Sequence, residues 1–262
     1  MMGKLVLYEL RDGIAFITIN RPDRRNALNG LGMVEMGEHW LRFKNDPEAR
    51  VAVLTGAGDK AFCAGADLKD IADDEENLTK RAEKLGRMAG TGHHPRELKL
   101  GKPVIAALNG YALGAGGVLA LQCDLRVASI NASIGFPPVK LGHLPSYLFD
   151  MWRMMPPAVA LKSLYTGDPV KAEDLYRTGM VSDLVTPDEL MPTATALAEK
   201  VRDNPPLVMR AIKEVWDSDP EFHKIEWIRI YTDVARMVSG SEDFKEGPRA
   251  FAEKRKPVWR GK

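Results

Sequence analysis

Three short segments carry residue types and spacings that could do chemistry: NRPDRRNAL at 20–28, AFCAGADLK at 61–69 and NGYALGAGGVLALQCD at 109–124. In the third, Gly114-Ala115-Gly116-Gly117 stands before the apolar run Val118 to Gln122, the pattern of a strand turning tightly into a helix. The first N–H groups of a helix have no partner within it, and its aligned peptide dipoles favour negative charge there. The chemistry on offer is the holding of an anion. The same glycines would equally serve to pack helix closely against strand. Neither G-x-G-x-x-G nor a P-loop lysine is present, so a nucleotide-phosphate site is not indicated. Cys63-Ala64-Gly65-Ala66-Asp67 in the second segment is, by itself, an ordinary turn.

Proton-transfer groups gather in a fourth segment, GHLPSYLFDMWRM at 142–154, which offers His143, Ser146, Tyr147 and Asp150. If a helix opens at Pro145, Asp150 lies about one turn after Ser146 and both can face one side. Ser146 also suits an ordinary helix cap, and His143 a core or surface histidine. His93 and His94, ahead of the PVIAAL strand, read most simply as a solvent-exposed pair.

These loops need elements to hold them. Lys4 to Glu9 and Ile14 to Ile19 alternate apolar and polar residues about Arg11-Asp12-Gly13, which predicts a hairpin. Met33, Met36, Trp40 and Phe43 have helical spacing. VAVLT at 51–55, PVIAALNG at 103–110 and LRVAS at 125–129 read as strands, the first two buried. Asp70 to Gly92 reads as a surface helix with mobile flanks. From Ala158 the pattern is almost entirely helical, with helices expected over 171–178, 187–202, 207–216 and 225–238. Strands alternating with helices and a helical end predict an α/β protein with a C-terminal helical subdomain. The division is drawn as a core over 1–195 and a helical region over 196–262.

Composition narrows the function classes. Charges nearly cancel, with 37 Lys and Arg against 36 Asp and Glu. That argues against a nucleic-acid partner, and the one basic stretch is the C-terminal KRKPVWRGK. Cys63 and Cys123 lie far apart with no zinc-ligand spacing, which fits a reducing compartment and leaves no metal site to propose. The first residues meet charge too early for a signal peptide, and no apolar run is long enough to span a bilayer. The expectation is a cytoplasmic protein without membrane association.

Taken together, NRPxxxNAL, AGADL and KPVIAALNGYALGAGG with Cys123-Asp124 close behind, in that order and spacing, resemble the crotonase (enoyl-CoA hydratase/isomerase) family. The resemblance continues through YTGDPVKAEDLYRTGMVSDLV at 165–185 to FAEKRKPVWRGK at 251–262, so it spans nearly the whole chain. It implies a spiral of ββα turns with a helical tail that builds trimers, often paired into hexamers. It implies an acyl-CoA thioester substrate, with coenzyme A arriving as part of that substrate and no separate cofactor. The backbone N–H groups of Ala66 and Ala115 match the family's two oxyanion donors; the second is usually glycine, and alanine keeps the donor. Arg25, Ala27 and the run Ala64, Ala66, Asp67, Leu68 and Lys69 match the contacts to adenine and pantetheine.

The sequence also departs from that family. The two glutamates with which its hydratases activate water and deliver a proton to the α-carbon fall here at Val118 and Pro138. Neither side chain carries a proton, which argues against the ordinary hydratase mechanism. Pro138 and the Pro-x-Tyr after it resemble methylmalonyl-CoA decarboxylases, although those carry histidine where this chain has Ala66. The resemblance therefore points to a lyase of decarboxylase-like chemistry. Isomerisation or hydrolysis through Asp150 or Tyr147, and a non-catalytic CoA-binding protein, are the alternatives.

Overall fold

The computed structural model describes residues 4–67, 94–96, 98–144, 154–217, 240–255 and 257–258. A hairpin of β1 (Val6–Arg11) and β2 (Ile14–Ile19) opens the chain and turns at Asp12-Gly13, both with positive φ. Helix α1 (Gly30–Asn45) follows, capped by the Asn29 side chain, which accepts from the Gly32 N–H at 2.9 Å. Met36, Trp40 and Phe43 lie at i, i+4 and i+7 and are fully buried.

Parallel strands β3 (Val51–Gly56), β5 (Val104–Leu108), β7 (Leu125–Ser129) and β10 (Asp183–Val185) extend the hairpin into a six-stranded sheet, β1-β2-β3-β5-β7-β10. Side chains alternate across a strand, so each one feeds two cores. Ala52, Leu54, Ala106 and Leu108 join Trp40 and Phe43 on one face. Val51, Val53, Ile105 and Ala107 meet Leu190, Ala194 and Ala198 of α5 (Leu190–Arg202) on the other. Burial on both faces explains why β3 and β5 read as unbroken apolar runs.

A second sheet holds β4 (Ala61–Cys63), β6 (Tyr111–Leu113), β8 (Ser133–Gly135) and β9 (Val170–Lys171), in that order. The chain passes from the first sheet to the second three times: β3 to β4, β5 to β6, and β7 to β8. The middle pass continues into α2 (Ala115–Gln122), and the last into the 3-10 turn Pro137–Leu141. This is the expected α/β spiral.

The remainder is α3 (Pro157–Thr166), α4 (Ala172–Arg177), α6 (Pro206–Asp217) and α7 (Glu242–Ala252). The expectation of an almost wholly helical chain after Ala158 needs correction, because β9 and β10 lie in it. They are two and three residues long, too short for a period of two to register. The division after 195 cuts through α5, whose buried face packs on the six-stranded sheet. The helices expected over 70–92 and 225–238 lie outside the described residues. No helix among those described is long and apolar enough to cross a membrane.

Candidate active site

The site is built where three loops meet at the C-terminal ends of β2, β3 and β5. Two buried asparagines hold them. Asn26 Nδ2 donates to Ala57 O at 2.9 Å and Ala61 O at 2.6 Å, while its Oδ1 accepts from Arg21 N at 3.0 Å. Asn109 Nδ2 reaches Ala61 O at 3.1 Å and Gly58 O at 2.8 Å, and its Oδ1 accepts from Gly56 N at 3.2 Å. Arg25 and Asn26 both take left-handed φ, 50° and 56°, a conformation with a steric cost for any residue bearing a Cβ. The Asn26 bonds offset that cost. Sequence reading assigned neither asparagine a role; the signal was present, since each is a polar residue inside a motif that directly follows a strand.

The first and second segments then zip together. Ala64 N donates to Arg25 O at 3.0 Å, Leu28 N to Gly65 O at 2.8 Å, and Asp67 N to Leu28 O at 3.0 Å. Leu28 and Ala66 form an isolated parallel bridge in which the Ala66 N–H is not used. The Asp67 carboxylate turns inward and pairs with Arg21 Nη2 at 3.0 Å, with the two side chains only 9% and 12% exposed. Arg21 also donates to Ala27 O. Arg25 is exposed beside this cluster. Arg25, Ala27, Ala64, Ala66 and Asp67 are thus brought together.

Gly65 and Gly114 press the second segment against the third. Gly65 has φ 101°, and a Cβ there would lie 2.8 Å from Leu113 O and 3.4 Å from Ala115 N. A Cβ on Gly114 would stand 3.9 Å from Gly65 Cα and 3.5 Å from Pro138 Cγ. Ala115 is the first residue of α2, and Val118 lies three residues further along the same helix, 5% exposed. Among the described residues neither the Ala66 N–H nor the Ala115 N–H donates a hydrogen bond. Both alanines are half-buried. Two unpartnered amides therefore sit on touching turns, one of them at the positive end of an apolar helix, with Val118 and Pro138 alongside. Low-dielectric surroundings strengthen any charge–dipole interaction made there.

Other candidates fall elsewhere. His143 follows the 3-10 turn, its ring centroid 4.4 Å from that of Phe244 in α7, and burial holds its imidazole below the usual value. Helix α7 backs this turn so closely that a Cβ on Gly247 would lie 2.0 Å from Leu141 O. His94 is half-buried rather than solvent-exposed. Leu68, Lys69, His93, Ser146, Tyr147 and Asp150 lie outside the described residues. Cys63 and Cys123 are fully buried, and burial pushes both thiols up to about 12. Neither is a nucleophile.

Comparison with known proteins bears on this arrangement. A family model described as enoyl-CoA hydratase/isomerase matches residues 9–262. The chain is 40% identical to the (E)-benzylidenesuccinyl-CoA hydratase of Thauera aromatica, over 98% of its own length and 99% of the relative's. It is also 40% identical to the carnitinyl-CoA dehydratase of Salmonella enteritidis, over 98% of each chain. A crystal structure of a carnitinyl-CoA hydratase from Mycobacterium avium superposes with a TM-score of 0.86 at 40% identity, covering 100% of both chains.

Proposed function

The chain belongs to the enoyl-CoA hydratase/isomerase family, and we propose that it binds an acyl-CoA thioester and holds the derived enolate between Ala66 N–H and Ala115 N–H. One observation carries the reading: both amides lack an acceptor among the described residues while their turns touch. Preorganised donors aimed at developing charge lower a barrier without reorganising during the reaction. Coenzyme A enters as part of the substrate, along the loop of Arg25, Ala27 and Ala64 to Asp67. No metal or redox group is needed.

The reaction proposed is a decarboxylation of a 2-carboxyacyl thioester, a lyase step. The bond from the α-carbon to the carboxylate breaks and CO2 leaves. The electron pair moves into the thioester, whose oxygen takes up the two N–H groups as an enolate. A proton then adds to the α-carbon. No base is required to start this sequence, which suits Val118 and Pro138 beside the turns. An apolar wall also disfavours a localised carboxylate more than a transition state in which its charge is spread.

A second reading, hydration or dehydration, is favoured by the names of the relatives at 40% identity. It would require a proton carrier other than residues 118 and 138, and Tyr147 and Asp150 are the candidates. Purified protein given methylmalonyl-CoA and crotonyl-CoA in separate assays distinguishes the two. CO2 release without crotonyl-CoA hydration is the expected result; rapid hydration of crotonyl-CoA defeats the decarboxylase reading. A homotrimer or dimer of trimers in the cytoplasm is proposed for the assembly, to be read by light scattering.

A further inference from the structure

A cavity of about 390 Å³ lies at the opposite end of the six-stranded sheet from the candidate active site. Its wall is formed by the entries to β3 and β5 and by the connection from α5 to α6. Lys44, Arg50, Lys102 and Arg210 line it with no carboxylate paired to any of them among the described residues. Asp46 is the one acid on the wall, and its Oδ1 already accepts from Glu48 N at 3.0 Å. Arg202, the fifth cation, is paired with Asp203 at 2.8 Å.

These cations are held together against their mutual repulsion. Lys102 Nζ donates to Phe43 O at 2.8 Å and Asp46 O at 2.6 Å, which fixes the ammonium without neutralising it. Burial holds its pKa below the usual lysine value; the Asp46 carboxylate opposes that shift in part, and the nearby Arg210 guanidinium adds to it. Arg210 is carried by α6, and α6 is itself anchored. Lys213, three residues on, lies between Asp124 at 2.8 Å and Asp217 at 2.9 Å with its side chain 7% exposed. The N-terminal end of α6 also opens on the cavity. Its first amides are largely used, since Val208 and Met209 both donate to Pro205 O. Recognition there falls to side chains and the helix dipole.

We propose that this cavity binds a small anion carrying at least two negative charges in phosphate form, a diphosphate group being the best match. Two guanidinium forks suit phosphate oxygens in pairs, and the ammonium groups add point charge. The concave shape fits a small molecule rather than a macromolecular surface. The site is independent of the acyl-CoA reading, because it shares no residue with the three catalytic loops.

Isothermal titration of the full-length protein with inorganic pyrophosphate, at constant ionic strength, tests the assignment. Saturable binding of one anion per chain is expected, weakened by at least about tenfold in Arg50→Gln/Arg210→Gln. Both arginines are exposed and their guanidinium groups make no hydrogen bond or ion pair among the described residues, while the Arg50 backbone N–H bond to Gly13 O at 2.8 Å is kept by glutamine, so the variant should fold. Adenosine diphosphate as a second probe distinguishes a nucleotide ligand, bound more tightly than pyrophosphate, from the diphosphate group alone; either supports the site. Absence of saturable pyrophosphate binding overturns the proposal. So does equal binding by the double variant, or a loss seen only in Arg24→Gln/Arg25→Gln at the other end of the sheet.

Discussion

Gly116 stands so close to Cys63 that a Cβ on it would lie 2.0 Å from the Cys63 carbonyl oxygen. The start of α2 and the end of β4 are thereby locked together, and with them the turns that carry Ala115 and Ala66. The obstacle is backbone, which cannot rotate aside as a side chain can. Gly116→Ala is expected to destabilise the protein by about 3 kcal/mol, at the upper end for overpacking. Thermal denaturation should show the loss. Any folded fraction should turn over acyl-CoA poorly, because the two amides are pushed apart.

Ala115→Pro tests the oxyanion role with less disturbance. Proline is well suited to the first position of a helix, where its missing N–H leaves no internal hydrogen bond unmade. The preceding Gly114 has φ 53° and ψ −121°, a mirror image of the extended backbone that proline prefers before it. Folding should therefore survive. The rate constant for turnover should fall about 10²–10³-fold, corresponding to about 2.7–4 kcal/mol for one lost donor. A near-normal rate in a folded Ala115→Pro protein sinks the enolate proposal.

The Arg21–Asp67 pair gives a stability prediction. Removing one member strands the other in a site where the side chains are 9% and 12% exposed. Asp67→Ala should cost about 3 kcal/mol, at the low end for a broken buried pair because Arg21 keeps its bond to Ala27 O. Chemical denaturation measures it. A change within experimental error would mean that Asp67 serves the ligand rather than the loop.

The cysteines set a limit on alkaline stability. Their folded-state values, near 12, lie above the ordinary thiol value of 9.0. Between those limits the unfolded chain releases thiol protons that the folded chain retains, so stability falls as pH rises from about 9 toward 12. Below that window the thiols contribute no pH dependence. A thiol reagent at neutral pH should label neither cysteine in the native protein and both after unfolding. Cys63→Ala/Cys123→Ala should flatten the alkaline limb of a stability–pH profile.

Much of this protein was legible in its residues. The buried strands over 51–55, 104–108 and 125–129, the helix around Trp40 and the α/β class follow from local apolar patterning, which depends only on near neighbours. The two amides proposed as donors were singled out by loop motifs and a family resemblance. What tertiary structure alone decided is the meeting of those loops. Asn26 and Asn109 share one acceptor, Ala61 O, across 35 and 48 residues, and no local rule links such positions. The pairing of Asp67 with Arg21, 46 residues away, is hidden from the sequence for the same reason. The cationic cavity gathers residues from near 45, 102 and 210, each an ordinary surface charge when read alone. Charge and shape become a site only when the spiral stacks its turns, because electrostatic and steric complementarity depend on distance in space rather than along the chain.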